Sequence, residues 1–190
     1  MNIGLFFGSF NPVHTGHLII ANIMAENSGV DQVWFVVSPQ NPLKNNRTLA
    51  HEFDRYDMVR LSIEEDPKLR VTDVEFQMPR PSYTIDTLTY LQAQHPDHTF
   101  SLILGSDNLV HFEKWKNFEQ ILKQYKLLVY QRPGDTVHSL FQHPSVSVID
   151  APLLDISATF IRQMIKEGKS IRYMVPIAVE DFIRDKKLFV

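Results

Sequence analysis

Residues 2–17, which read NIGLFFGSFNPVHTGH, decide the fold of this chain. The apolar run over residues 2–7 stops at Gly8, as a buried parallel strand does. A loop follows, and then a helical pattern over about residues 14–27. Residues 32–37 form a second apolar run, so the segment predicts a β-α-β unit with a right-handed crossover.

The same alternation of strands and helices continues to the end of the chain. We expect an α/β fold in a single domain over residues 1–190, a Rossmann-like parallel sheet with helices on both faces. The further predicted strands are residues 69–74, 99–104, 126–130 and 146–149. The further predicted helices are residues 52–65, a helix capped by Ser82 or Thr84 that ends near His95, a helix from Ser157 to about Lys166, and a last helix from about Pro176.

The loops that leave the strands are the expected place for a ligand. In open parallel sheets, ligands bind beyond the carboxyl ends of the strands, where the strand order reverses. The loops after Phe7, Val37, Leu104, Tyr130 and Ile149 are therefore expected to lie together at one edge of the sheet.

Composition excludes several classes of protein and of site. The chain has 190 residues, 44% of them hydrophobic and 22% charged, which is ordinary globular usage. The formal net charge of −3 provides no basic field for a nucleic-acid polymer, and no apolar run approaches the roughly 20 residues of a membrane span. The absence of cysteine removes disulfides, thiolate nucleophiles and cysteine-ligated metals. We expect a cytoplasmic protein that binds neither nucleic-acid polymers nor membranes.

The loop after the first strand is a candidate anion site. Free backbone N–H groups and the positive end of the first helix favour a phosphate there, and Gly8 permits a close backbone approach. His14 and His17 lie three residues apart, so both rings can project from one side of the first helical turn. An isolated pair of this kind is more often a local cap and a satisfied histidine, and a zinc pair is a further alternative. The glycine-bearing strand-to-helix context favours a nucleotide phosphate.

Several motifs resemble one enzyme family. Residues 8–17, between a strand and a helix, contain G-S-F-N-P and H-T-G-H. These two motifs resemble the signature motif of the nucleotidylyltransferase superfamily. P-S-Y-T-I-D-T-L at 81–88 is similar to a segment of bacterial nicotinate-nucleotide adenylyltransferases that their pantetheine-phosphate and glycerol-phosphate relatives do not share. G-S-D-N-L at 105–109 with Trp115, R-P-G at 132–134 and D-I-S-A-T-F-I-R at 155–162 resemble further blocks of that family. The resemblance covers essentially the whole chain.

The resemblance implies transfer of the adenylyl group of ATP to nicotinic acid mononucleotide, which gives deamido-NAD and pyrophosphate in NAD biosynthesis. Mg²⁺ is expected to arrive with ATP, because it prefers phosphate oxygens and water to an all-protein cage, and no protein metal site is expected. The oligomeric state is left open, with a homo-oligomer among the alternatives. The candidate catalytic residues are His14, His17, Lys44 and Arg162. The candidate ATP-binding residues are Gly8, Ser9, Phe10, Gly105, Asp107, Arg132, Ser157 and Thr159, and the candidate mononucleotide-binding residues are Asn11, Tyr83, Thr84 and Trp115.

Plain structural roles stay open for several of these residues. Ser157 is a good N-cap whatever else it does, and Asp107 can cap a helix. Trp115 can be ordinary core, although it lies in a polar stretch; in the family, this position stacks on the pyridine ring. Two positions depart from the family pattern. Leu43 stands where many members have histidine, and Ala158 replaces the second serine of I-S-S-T.

Three other functions compete with this one. A related adenylyltransferase would use pantetheine phosphate, against which residues 81–88 argue, or the amide mononucleotide, against which they argue less firmly. A non-catalytic nucleotide sensor can use the same fold, but His14 and His17 are both present. A fragment of a class I aminoacyl-tRNA synthetase would share H-x-G-H, but the chain is short and has no K-M-S-K-S loop.

Overall fold

A computed structural model describes residues 1–39, 49–131, 139–152 and 154–190. Its strands form one sheet in the order β3-β2-β1-β4-β5-β6, and every neighbouring pair is parallel. The strands are β1 (Asn2–Gly8), β2 (Gln32–Val37), β3 (Leu69–Thr72), β4 (Thr99–Gly105), β5 (Lys126–Tyr130) and β6 (Val146–Ile149).

Helices cover both faces of this sheet. They are α1 (Thr15–Asn27), α2 (Glu52–Ile63), α3 (Thr84–Gln94), α4 (Ser106–Leu109), α5 (Phe118–Gln124), α6 (Ala158–Lys166) and α7 (Ile177–Asp185). Single 3₁₀ turns occupy Val74–Gln77, Phe112–Lys114 and Ser139–Gln142. The predicted α/β class, with helices on both faces of a parallel sheet, is confirmed. None of the helices in the described residues is both long and apolar enough to cross a lipid bilayer.

The central strand β1 supplies side chains to both faces because successive residues of a strand point in opposite directions. Ile3 and Leu5 pack into the core beneath α3 and α5, whereas Phe6 packs into the core beneath α1, α2, α6 and α7. Ile3 and Leu5 are fully buried and Phe6 is nearly so. Burial of each such side chain stabilises the fold by about 1.5–3 kcal/mol, which fixes β1 in the middle of the sheet.

The strand order reverses at β1. From β1 the chain first builds outward through β2 to β3, and then returns to the other side of β1 with β4. The helices that follow β1 and β4 leave the sheet in opposite directions at such a point, which opens a crevice between the two loops. The site is therefore expected at the carboxyl ends of β1 and β4.

The predicted elements differ from the observed ones in several places, among them α2, which ends at Ile63 rather than at residue 65. β3 ends at Thr72, two residues before the predicted end, and the chain continues into the 3₁₀ turn Val74–Gln77. The prediction that Ser82 or Thr84 caps α3 is wrong, because Tyr83 is the N-cap residue. The helices α4 and α5 were not predicted.

Candidate active site

The loop after β1 is shaped by the Phe10 ring. A Cβ atom at Gly8 would lie 2.7 Å from Cζ of Phe10, so only glycine fits beneath the ring. Phe10 itself has a φ of 46°, in the left-handed region, and is 2% exposed. Its ring packs edge to face against the rings of Phe6, Phe35 and His17. The Phe10 side chain is therefore core, and only its backbone is placed to meet a ligand.

His14 and His17 are brought together at the start of α1. Their rings stack with centroids 3.7 Å apart, and His14 is the N-cap residue of the helix. Nδ1 of His17 accepts a 3.2 Å hydrogen bond from the backbone N–H of His14. A nitrogen that accepts carries no proton, so this bond assigns the proton of the neutral His17 ring to Nε2. The donor nitrogen of His17 therefore lies on the side of its ring remote from the loop backbone.

Arg162 joins this loop from the far end of the chain. Its Nη1 donates a 2.8 Å hydrogen bond to the backbone carbonyl oxygen of Asn11, and its Nη2 donates to Oγ1 of Thr159 at 3.3 Å. The side chain is half-buried, and this burial lowers the pKa of Arg162. Because a guanidinium has five N–H donors, these two contacts leave donor capacity for an anion.

Asn11 has a structural role in the same loop. It is 2% exposed, and its Oδ1 accepts a 2.9 Å hydrogen bond from the backbone N–H of Ala50. Together with the bond from Arg162, this contact ties the segments at Asn11, Ala50 and α6 to one another. The predicted contact of Asn11 with the mononucleotide stays a prediction.

The start of α6 confirms one structural expectation. Oγ of Ser157 accepts a 3.2 Å hydrogen bond from the backbone N–H of Phe160, so Ser157 is the predicted N-cap. The helix ends at Lys166, as predicted, and Gly168 follows with a φ of 67°. The contacts of Ser157 and Thr159 with ATP stay predictions.

A second glycine shapes the loop after β4. A Cβ atom at Gly105 would overlap the carboxylate of Asp107 and lie 3.1 Å from the Tyr130 ring. Gly105 precedes the short helix α4, and Asp107 in its first turn is exposed. Gly105 also pairs with Tyr130 of β5. The predicted ATP-binding residues Gly105 and Asp107 thus lie on the loop beside that of Gly8, across the reversal of strand order.

The start of α3 is tied to the segment that carries Trp115. Nζ of Lys116 lies 2.8 Å from Oδ2 of Asp86 and 4.8 Å from the centroid of the Tyr83 ring. Trp115 is half-buried and packs on Phe112, with ring centroids 5.1 Å apart. Trp115 is therefore anchored to the core while one part of its ring stays accessible. Thr84 is the first residue of α3.

A buried acid that was not predicted from the sequence lies beneath α3. Glu75 is 2% exposed, and its Oε1 accepts a 2.8 Å hydrogen bond from the hydroxyl of Thr87. Burial raises the pKa of Glu75, and the hydrogen bond from Thr87 partly offsets that rise. The sequence holds a weak signal for this contact, since Glu75 and Thr87 flank the stretch of residues 79–82 that leads into α3.

Two predicted residues cannot be placed. Lys44 and Arg132 lie outside the residues that the structure describes, as does Leu43. Within the described ranges, no three His, Asp or Glu side chains come together as a metal site. The groups that meet at the loop after β1 include the N–H donors of Arg162 and of the N-terminus of α1, which favour anions.

Comparisons with known proteins agree with this geometry. Residues 5–164 match the model of the cytidylyltransferase-like family. A protein of Cytophaga hutchinsonii named "Probable nicotinate-nucleotide adenylyltransferase" is 56% identical over 189 residues, which cover 100% of this chain and 98% of that protein. A protein of Flavobacterium johnsoniae with the same name is 49% identical over 185 residues, 96% of each chain.

A solved structure shares the fold. Plasmodium falciparum nicotinic acid mononucleotide adenylyltransferase complexed with NaAD matches with a TM-score of 0.84, over 99% of this chain and 97% of that one. The identity between the two sequences is 21%, so this likeness shows the fold alone.

Proposed function

The chain belongs to the cytidylyltransferase-like family and, within it, to the nicotinate-nucleotide adenylyltransferases, and on this premise we propose that it transfers the adenylyl group of ATP to nicotinic acid mononucleotide. The products are deamido-NAD and pyrophosphate, and the reaction is a step of NAD biosynthesis. The proposed place of this reaction is the cytoplasm, which agrees with a chain that has no cysteine.

One structural observation carries the proposal. Two imidazole rings, one guanidinium group and the N-terminus of α1 converge on the loop after β1. Each of these groups favours a negative charge, and the loop lies at the reversal of strand order. A nucleoside triphosphate is the ligand whose charge this set of donors matches.

The proposed chemistry needs no protein nucleophile. The 5′-phosphate oxygen of the mononucleotide attacks the α-phosphorus of ATP, a new P–O bond forms, and the bond from that phosphorus to the bridging oxygen of pyrophosphate breaks. The attacking phosphate is already ionised near neutral pH, so no side chain has to remove a proton. The protein acts by holding the two reactants in line and by stabilising charge on the oxygens of the transferring and leaving groups.

The donors divide this work. Nε2–H of His17 and N–H groups of Arg162 are proposed to contact phosphate oxygens, because the bond from His14 to His17 and the bond from Arg162 to Asn11 hold both side chains beside the loop. His14, fixed as the N-cap of α1, supplies the second imidazole. Lys44 is proposed as a further cation on the basis of its family motif.

We propose that Mg²⁺ enters with ATP. The hydrogen-bond donors at the loop suit phosphate oxygens and are not the oxygen ligands that Mg²⁺ prefers. We therefore propose that the metal is held by the triphosphate and by water. When bound there, Mg²⁺ neutralises part of the phosphate charge. The side chains of the protein then orient the triphosphate against the mononucleotide.

A turnover assay tests the proposal. Purified protein with Mg²⁺, ATP and nicotinic acid mononucleotide is expected to release pyrophosphate and form deamido-NAD, detected by chromatography. The same assay with nicotinamide mononucleotide and with pantetheine phosphate separates the related activities. Turnover with pantetheine phosphate alone, or none with any acceptor, would contradict the proposed function.

A further inference from the structure

The most completely buried charge in the described residues lies beneath the loop after β1. Arg55 of α2 is 1% exposed, and every hydrogen bond that its guanidinium makes with the described residues goes to a backbone carbonyl oxygen. Nη1 donates to Ser9 at 2.7 Å and to Ser38 at 2.8 Å, Nη2 donates to Pro39 at 3.1 Å, and Nε donates to Ala50 at 3.0 Å. One side chain therefore holds the loops after β1 and β2 and the start of α2 together.

Its charge is not neutralised by direct pairing. Among the described residues no carboxylate forms an ion pair with Arg55, and the nearby Glu52 pairs with Arg80 at 2.6 Å. Burial lowers the pKa of Arg55 to about 10, which still leaves the group charged at neutral pH. Apolar residues of similar volume stabilise a core at least as well as a buried charge. Stability alone therefore gives a poor reason for an arginine at this position.

The bond to Ser9 fixes the direction of a neighbouring amide. The Ser9–Phe10 peptide is trans, so the carbonyl of Ser9 and the N–H of Phe10 point in opposite directions. Because the Ser9 carbonyl points at the guanidinium, the Phe10 N–H points away from the core side of the loop. The left-handed φ of Phe10 is a costly conformation that persists only when its surroundings hold it.

We propose that Arg55 is a positioning residue for adenylyl transfer, which holds the Ser9 carbonyl so that the Phe10 amide is presented to the phosphates of ATP. The inference rests on the proposed function and adds to it a residue that contacts no substrate. The same guanidinium is linked to Arg162 through two residues. The Ala50 carbonyl accepts from Arg55, the Ala50 N–H donates to the side-chain Oδ1 of Asn11, and the Asn11 carbonyl accepts from Arg162. A shift at Arg55 is therefore transmitted to both phosphate-binding groups.

Three variants test this role. Arg55→Lys keeps the charge but replaces the planar fork by a point donor, which cannot reach four carbonyls at once. Arg55→Ala leaves a space that a small guanidinium ion can enter. Met58→Ala is the matched control, because Met58 lies one turn further along α2 and is fully buried, and its apolar side chain cannot donate to the loop carbonyls as Arg55 does. All kinetic constants are measured well below the melting temperature of each variant.

We expect Arg55→Lys to lower kcat/KM for ATP by about a hundredfold, the scale of a small misplacement of a reacting group. Met58→Ala should lower the melting temperature by at least as much as Arg55→Lys does, because it leaves a cavity in the core. Its kcat and both of its KM values should nevertheless stay within about twofold of the wild-type values. Millimolar methylguanidinium should restore part of the kcat of Arg55→Ala, and urea, which has the same shape without the charge, should not.

A measurement on the wild-type protein covers the case in which the Arg55 variants do not fold. With ¹⁵N-labelled phenylalanine, the Phe10 amide resonance is expected to move downfield when a non-hydrolysable ATP analogue is added. An unchanged Phe10 resonance at saturation would overturn the inference, as would Arg55→Lys with wild-type kcat/KM for ATP. If the wild type binds the analogue but forms no deamido-NAD, the proposed function fails. The role of Arg55 is then tested separately by the affinity for the analogue, and equal affinities of the wild type and Arg55→Lys would overturn it.

Discussion

Nη1 of Arg162 donates a 2.8 Å hydrogen bond to the backbone carbonyl oxygen of Asn11, a residue 151 positions earlier in the chain. This bond places a cation from α6 on the loop that ends at His14 and His17. The loop thereby receives a positive charge from a helix that follows all the strands from β2 to β6 in the sequence. Catalysis by charge stabilisation requires that such a cation be fixed before the substrates bind.

Loss of this cation should impair the chemical step. We expect Arg162→Ala to lower kcat by about a hundredfold or more, the scale of one preorganised charge-stabilising donor. Arg162→Lys keeps the charge but not the geometry of two donors, so its kcat should lie between those of Arg162→Ala and the wild type. Lys166→Ala, at an exposed position one turn along α6, is the control. Similar kcat values for Arg162→Ala and Lys166→Ala in steady-state pyrophosphate release would contradict the assignment.

His17 should contribute through its Nε2 proton. His17→Ala removes the Nε2–H donor and the ring whose Nδ1 accepts from His14, and we expect a loss of roughly a hundredfold, mainly in kcat. His17→Gln supplies an amide N–H on a flexible side chain without the ring and should restore only part of the loss. His95→Ala, at the opposite edge of the sheet after α3, should behave as the wild type. A folded His17→Ala protein with near-normal kcat would show that the ring serves only to cap α1.

The strands were predictable because each is a run of apolar residues bounded by polar turns. β2, β5 and β6 have the predicted bounds. β2 and β5 are buried over most of their length, so they are nearly continuous apolar runs, whereas β6 is an edge strand with no buried residue. α5 was missed because it spans only seven residues, about two turns, which is too short to establish a helical period. The cap of α3 was missed because Tyr83 makes no side-chain capping bond in the described structure.

Site residues could be predicted to lie together only where they are close to one another in the sequence. His14 and His17 come together because they are three residues apart on one helical turn. Arg55 gave no signal, because its partners are backbone carbonyls, which every residue has. The ion pair of Lys116 with Asp86 spans 30 positions and depends on how the loop after β4 folds back on α3.

Glu75 should make stability depend on pH. Because burial raises its pKa in the folded state, the native protein binds more protons than the unfolded chain between the usual value of 4.5 and the raised one. Stability therefore falls as the pH rises through this interval. Glu75→Gln cannot ionise, and its amide oxygen can still accept from Thr87.

The melting temperature of Glu75→Gln relative to the wild type should therefore be higher at about pH 8 than at about pH 5, by thermal unfolding followed with circular dichroism. Glu65→Gln, at an exposed position, is the control and should show no such change with pH. A difference between Glu75→Gln and the wild type that is equal at the two pH values would mean that Glu75 is ionised in the folded protein as readily as in the unfolded chain.

The last prediction concerns the choice between the acid and the amide mononucleotide. α3 begins at Thr84, and within the described residues the Tyr83 side chain makes no capping bond, so the N–H groups of the first turn keep donor capacity. These donors and the positive helix end suit the nicotinate carboxylate, whereas the NH₂ group of nicotinamide finds no acceptor there. Lys116 forms an ion pair with Asp86 of the first turn, so the negative charge that Asp86 would bring to this helix end is neutralised.

The expected discrimination is large and should be independent of Trp115. A charge-assisted bond to the carboxylate gains about 1.5–3 kcal/mol and an unpaired amide donor costs about as much, so kcat/KM should favour the acid by about a thousandfold. Trp115 can stack equally on either pyridine ring, so Trp115→Ala should raise KM for both substrates and largely keep their ratio. Phe118→Ala, a change at a neighbouring aromatic residue that packs on Phe112, controls for disturbance of the local core. Equal kcat/KM values for the two mononucleotides, or loss of the preference in Trp115→Ala alone, would refute selection by the α3 terminus.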